Sequence, residues 1–213
     1  MSRIAMMNIL HIDCSPRPES HSRQLSAQIV EKLRAIAPGT VVRRRDLGAA
    51  PTEHVAPDYA TTLSSPLTLA APLKGSLDLS EALIREVEAA DVIVIGTPMY
   101  NLTVPAVLKA WIDQILRAGR TFMSTPAGKI GMLANRSVFI AIASGGVFSG
   151  SRANQPDFLT PYLSQVLASI GLTKVQFLSV QATAFLDQTQ VRLAHEKALK
   201  DLDLSTCFVP ALL

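Results

Sequence analysis

Residues 91–122 constrain the fold of this chain more than any other stretch. Asp91-Val92-Ile93-Val94-Ile95 is dominated by β-branched side chains, and Gly96 and Pro98 follow as breakers. A short apolar run of this kind predicts a strand buried on both faces and ending at Gly96. Val104, Val107, Leu108, Trp111, Ile112, Ile115 and Leu116 then recur three and four apart, drawing one wide apolar stripe on a helix. Pro105 belongs in its first turn, where a missing N–H costs nothing, and Gly119 is the expected C-terminal stop. Strand, tight loop and amphipathic helix make half of a βαβ unit. Ligands of such units bind at the carboxyl ends of the strands, so residues 97–102 form the expected contact loop. Met99, Tyr100, Asn101 and Leu102 offer a soft apolar side chain, a planar ring, an amide and backbone N–H groups, which suit a flat heteroaromatic ring better than a metal.

The rest of the chain repeats the alternation. Residues 7–12 read as a first strand, and a loop rich in hydroxyls and prolines leads from Asp13 to a helix marked by Leu25, Ile29, Leu33 and Ile36. Ser15, Ser20 and Ser22 in that loop suit a phosphate monoester, because the helix N-terminus supplies free N–H groups and the positive end of its dipole. Helix capping alone accounts for one of the three, usually the last. The loop holds no glycine or lysine of a Walker motif, and the position after five intervening residues from a Cys14 nucleophile, where a small cysteine phosphatase needs arginine, is Ser20. The site is therefore expected to hold a phosphate rather than transfer one.

Residues 40–47 read as an edge strand whose Arg43, Arg44 and Arg45 discourage edge pairing; a nucleotide-phosphate site is the sharper alternative. Residues 48–75 have no period and predict an irregular excursion with one short helix. A helix over 77–90 (Leu79, Leu83, Ile84, Val87) precedes the 91–95 strand, and residues 121–129 suggest a short hairpin. Ser137 to Ala143 is a fourth strand ending in Ser144-Gly145-Gly146, where two glycines let backbone amides approach a ligand. A helix through Leu163, Val166, Leu167 and Ile170 closes at Gly171, residues 175–180 make a fifth strand, and 189–202 a last helix. His54 lacks a second metal ligand nearby, and His195 reads as a surface residue; no metal site is expected. Five strands alternating with helices predict a three-layer α/β/α domain over residues 1–213. Its expected form is a doubly wound parallel sheet in the flavodoxin-like order 2-1-3-4-5.

Composition narrows the function classes. Of 213 residues, 48% are hydrophobic and 17% charged, a balance typical of a compact globular chain. No apolar run approaches a membrane span, no secretory pattern opens the chain, and two cysteines give no disulfide framework, so a cytoplasmic protein is expected. A net charge of +3, without a basic helix or interleaved aromatics, gives no support to nucleic-acid binding. The same basic balance argues against a flavodoxin-like electron carrier, which docks through an acidic surface.

The residues Pro98-Met99-Tyr100-Asn101, Pro105, Leu108-Lys109, Trp111-Ile112-Asp113, Arg117-Ala118-Gly119 and Thr121-Phe122 closely resemble the FMN-dependent NADH azoreductases, which are also NAD(P)H:quinone oxidoreductases. The serine loop running into Arg23-Gln24-Leu25-Ser26, the Gly145-Gly146 turn and Thr160-Pro161-Tyr162-Leu163 are similar too, so the likeness covers nearly the whole chain. The resemblance implies FMN with its phosphate at Ser15, Ser20, His21 and Ser22. It implies the ring on Met99, Tyr100, Asn101 and Leu102, and the pyrimidine edge at Ala143, Ser144, Gly145 and Gly146. The family's turn often carries an arginine where this chain has Ser144. Tyr100, Phe122 and Phe148 are the implied apolar walls for substrate. NADH or NADPH as donor, a quinone or azo acceptor, ping-pong turnover and a homodimer with sites at the interface complete what the resemblance implies. No catalytic acid–base residue is expected, because the flavin carries the chemistry. The alternatives are a related flavin, chromate or nitroaromatic reductase and an FMN-binding regulatory module.

Overall fold

The computed structural model describes residues 6–207. Strand β1 (Asn8–Asp13) leads to helix α1 (His21–Ile36), and β2 (Val41–Asp46) to the short helices α2 (Pro57–Leu63) and α3 (Pro66–Ala70). Helix α4 (Asp78–Ala89), β3 (Val92–Pro98) and α5 (Ala106–Ile115) follow, then β4 (Phe122–Thr125) and β5 (Gly128–Gly131) as an antiparallel hairpin. The chain closes with β6 (Ser137–Ala143), α6 (Thr160–Ala168), β7 (Lys174–Val180) and α7 (Gln188–Lys200). The main sheet has the order β2-β1-β3-β6-β7 with every pair parallel, which is 2-1-3-4-5 once the hairpin is set aside.

Side-chain alternation along the strands divides the core into two layers. Leu10, Ile12, Ile93, Ile95, Val138, Ile140 and Ile142 pack with α4, α5 and α6, through residues such as Leu83, Ile84, Leu108, Trp111 and Leu163. Ile9, Val92, Val94, Phe139 and Ala141 face the other way, onto Leu25, Ile29 and Leu33 of α1 and Ala198 of α7. Both central strands, β3 and β6, are buried along their whole length, which is why they read as continuous apolar runs.

Several expectations are corrected. The β3 strand does not stop at Gly96: it continues through Thr97 and Pro98, which pair with Ile142 and Ala143 of β6. Gly96 is there because α1 crosses close by, a Cβ at this position falling 2.6 Å from Ser26 Oγ and 2.9 Å from the Ser22 carbonyl. Helix α5 ends at Ile115, short of Gly119, whose φ of +71° serves the turn into the hairpin. The excursion after β2 carries two short helices rather than one, each with proline in its first turn. His195 is buried at 4% exposure, not at the surface: its Nδ1 lies 3.0 Å from Gln28 Oε1 and its ring meets that of His21 edge-on. Leu79, read as a stripe residue, is exposed, as is Leu193 on the last helix. On the edge strand β2, Arg43 and Arg45 pair with Glu86 and Arg44 with Asp13, so carboxylates already engage all three guanidiniums.

Candidate ligand-binding site

Three neighbouring strands, β1, β3 and β6, deliver their carboxyl ends to one edge of the sheet, and each end carries a distinct loop. After β1 the chain is tied back to its neighbour by the Cys14 N–H, which donates to the Gly96 carbonyl at 2.9 Å. Ser20, not Ser22, caps α1, its Oγ accepting from the Arg23 N–H. The Ser20 and Ser22 hydroxyls lie 3.3 Å apart, and the Ser15 Oγ accepts from the Arg17 N–H at 3.3 Å. All three serines are buried. As first-turn residues, His21 and Ser22 have no intrahelical acceptor for their N–H groups, the first turn holds no acidic residue, and the buried His21 Nδ1 has no partner. This is an unclaimed donor set at the positive end of a 16-residue helix.

The loop rests on a buried charge cluster. Arg23, 8% exposed, donates its Nε to the Ser15 carbonyl at 2.8 Å and its Nη1 to Asp46 Oδ2 at 2.8 Å. It also stands 3.4 Å from Asp13. Asp13 is fully buried and accepts from Ser26 Oγ and from Arg44. Burial pushes its carboxyl up, but the His11 and Arg44 hydrogen bonds and the Arg23 charge outweigh that and bring it down to about 2. Gly48 closes the cluster: a Cβ there would lie 2.1 Å from the Ser15 carbonyl oxygen. Cys14, buried beside Asp13, has its thiol pushed up by desolvation and then by the Asp13 charge, so it is no nucleophile.

After β3, the Met99 N–H donates to the Ala143 carbonyl at 2.8 Å, and Tyr100 and Thr103 exchange backbone hydrogen bonds at 3.0 and 3.1 Å. Between them Asn101 and Leu102 take φ values of +48° and +73°, making a two-residue turn with both central positions left-handed. Asparagine tolerates that region; leucine does not, and glycine is the usual occupant. Phe158 donates its N–H to the Leu102 carbonyl at 3.2 Å, and among the described residues no acceptor takes the N–H of Asn101 or of Leu102.

After β6, the Ser144 N–H donates to the Val180 carbonyl, and the carbonyls of Gly145 and Gly146 accept from Ala184 and Ala182. Ala182 itself holds a φ of +61° to do so. The N–H groups of Gly145 and Gly146 find no acceptor among the described residues. Between the β3 and β6 loops lies a cleft of about 480 Å³ lined by Met99, Asn101, Leu102, Ser144, Gly145, Gly146 and Gln155, none of them charged. That volume is within the usual range for small-molecule sites.

Of the residues singled out from sequence, Met99, Asn101, Leu102, Ser144, Gly145 and Gly146 line one cleft, and Tyr100 stands 43% exposed beside it. Ala143 is the buried last residue of β6. Ser15, Ser20, His21 and Ser22 gather at the α1 N-terminus, one strand away. Phe122 and Phe148 are buried in the apolar core and do not line the cleft; the Lys129 ammonium caps the Phe122 ring at 4.3 Å. Gln155 and the buried role of Arg23 were missed. No motif marks Gln155, which is brought in by a loop neck where the N–H groups of Asn154 and Gln155 both donate to the Val147 carbonyl.

The family model described as flavodoxin-like fold matches residues 7–203. An FMN-dependent NADH:quinone oxidoreductase 4 of Pseudomonas fluorescens is 46% identical over 206 residues, covering 96% of this chain and 98% of the relative. An FMN-dependent NADH:quinone oxidoreductase 5 of Burkholderia lata is 45% identical over 183 residues, covering 84% and 87%. Among solved structures, an FMN-dependent NADH-azoreductase of Bacillus anthracis in complex with FMN superposes with a TM-score of 0.74 at 22% identity, covering 92% of this chain and 99% of that one. At that identity the likeness is one of fold.

Proposed function

This chain belongs to the flavodoxin-like family, and from that premise we propose that it is an FMN-dependent NAD(P)H:quinone oxidoreductase. The observation that carries the reading is the succession of loops along one sheet edge. An unclaimed anion site follows β1, and an uncharged cleft with unclaimed N–H groups lies between the ends of β3 and β6. A phosphate monoester joined to a flat ring system fits that succession, and the names of the relatives supply the same cofactor and donor.

In this reading Ser15, Ser20, His21 and Ser22 hold the FMN phosphate through hydroxyls and first-turn N–H groups. Met99, Tyr100, Asn101 and Leu102 seat the ring, and Ala143, Ser144, Gly145 and Gly146 meet its pyrimidine edge. The bound flavin supplies the two-electron chemistry, so that NAD(P)H, a proton and a quinone become NAD(P)+ and a hydroquinone. The chain's own part is electrostatic and steric. The N–H groups of Asn101, Leu102, Gly145 and Gly146 would stabilise negative charge at the ring edge, in a cleft lined by no charged side chain. Tyr100 offers a planar face on which donor and acceptor stack in turn, the basis of a ping-pong sequence. Quinones are the primary acceptors in this proposal, with azo compounds as further planar oxidants. The protein is read as a cytoplasmic homodimer with its two active sites at the interface. Among the described residues no helix is long and apolar enough to cross a membrane, and Met123 and Ile130 leave apolar surface on the hairpin.

Purified protein incubated with FMN, desalted and scanned in the visible tests the proposal. Retained yellow absorbance that bleaches on anaerobic addition of NADH and returns on addition of benzoquinone is the expected result. A colourless protein would overturn the cofactor assignment, and colour unresponsive to both NADH and NADPH would leave a binding module in place of an enzyme.

A further inference from the structure

The cleft contains a side chain that the flavin reading does not use. Gln155 donates its Nε2 to Ser144 Oγ at 3.0 Å and toward Met99 Sδ at 3.3 Å. A thioether sulfur accepts but cannot donate, which fixes the orientation of the amide: nitrogen against Met99, carbonyl oxygen away from it. That oxygen, Gln155 Oε1, accepts no hydrogen bond among the described residues. It lies against Gly146, where a Cβ would come within 2.6 Å of it, so a glycine is needed for the amide to lie so close. Gly145 and Gly146, whose N–H groups find no acceptor among the described residues, line the same cleft. An acceptor and two donors on one wall offer the hydrogen-bonding groups that an imide edge needs, in which an N–H stands between two carbonyls.

Resting on the FMN assignment, we infer that Gln155 Oε1 accepts the imide N–H of the flavin pyrimidine and is the specificity-determining residue of that edge. Its carbonyl neighbours are met by the Gly145 and Gly146 N–H groups. Gln155 is uncharged, and no lysine or arginine lines the cleft, so the edge is read by hydrogen-bond pattern rather than by charge. The neck of the 147–154 loop, where the Val147 N–H also donates to Asn154 Oδ1 at 3.1 Å, holds Gln155 in place before any ligand arrives.

The test is a two-by-two binding cycle on the full chain, read by quenching of flavin fluorescence. Wild type and Gln155→Leu are each titrated with FMN and with FMN methylated at the imide nitrogen, which removes the donor. Wild type is expected to prefer FMN by roughly three- to tenfold, the worth of one neutral hydrogen bond. Gln155→Leu is expected to bind the two ligands about equally. Tight FMN binding by wild type with an equal preference in both proteins would overturn the role of Gln155 while leaving the cofactor in place. Failure of wild type to bind FMN at all would overturn both. Should Gln155→Leu bind neither ligand, Gln155→Glu enters the cycle in its place. Its carboxylate still accepts, so it must retain the preference for FMN, and loss of that preference would sink the inference.

Discussion

Replacing Arg23 with methionine removes the guanidinium that joins the ligand loop to the ends of β1 and β2. The lost contacts are the bonds to the Ser15 carbonyl, the pair of bonds to Asp46, and the 3.4 Å approach to Asp13. Asp13 keeps Arg44 and Ser26, and Asp46 keeps the Ala49 N–H and partial exposure, so the damage is less than for a charge stranded without any partner. Breaking a buried pair from one side costs about 3–5 kcal/mol, and these residual partners place Arg23→Met near about 3. In a domain of this size each kcal/mol moves the melting temperature by about 2–4 °C, giving a drop of about 6–12 °C. Differential scanning fluorimetry on the FMN-free protein isolates this effect from cofactor binding. Arg23→Lys keeps the charge but cannot reach the Ser15 carbonyl and both Asp46 oxygens together, so it recovers only part of the loss. A melting temperature within about 2 °C of wild type for Arg23→Met would refute the idea that this cluster holds the loop.

Other expectations follow from the same geometry. The His11 and Arg44 hydrogen bonds and the Arg23 charge hold the Asp13 carboxyl at about 2 in the fold, below the usual carboxylate range. Because the folded value is the depressed one, its contribution of about 2 kcal/mol is present above pH 4 and is lost as pH falls toward 2. Urea midpoints measured across that range in wild type and Asp13→Asn should converge at the acid end, and parallel curves would refute the assignment. Gly96→Ala forces a methyl onto Ser26 Oγ and the Ser22 carbonyl and is expected to cost about 1–3 kcal/mol in denaturant unfolding; an unchanged midpoint would mean that α1 is not packed as described. Leu102→Gly removes a left-handed penalty of about 1–2 kcal/mol. The apo-protein should therefore unfold at no lower urea concentration while FMN dissociates more readily, and a clear fall in the midpoint would contradict the strain argument.

The alternation of strands and helices was legible because the strands buried on both faces leave no polar interruption, and because the stripes of α1, α4 and α5 keep helical spacing. What was not legible depended on partners distant in sequence. Gly96 and Pro98 read as breakers, yet β6 supplies a parallel neighbour that carries β3 past both. Residues 48–75 read as an irregular excursion with one short helix, whereas Pro57 and Pro66 open two, each at a position where a missing N–H costs nothing. His195 sits in a polar helix that looks exposed, and only the meeting of α7 with α1 buries it. In the site, the backbone-contacting stretches 97–102 and 143–146 announced themselves through turn chemistry. Gln155 did not, since a lone glutamine on a loop has no signature until the loop neck fixes where it points.

The Asn101–Leu102 turn has a consequence for how fast a ligand is captured. Both residues already occupy their left-handed conformation without a ligand, held by the Tyr100–Thr103 exchange and by the Phe158 N–H. The cost of reaching that conformation is met during folding, so no slow rearrangement stands between encounter and docking. Observed association rates in stopped flow should then rise in proportion to FMN concentration without levelling off, whereas a plateau would reveal a conformational step that gates entry.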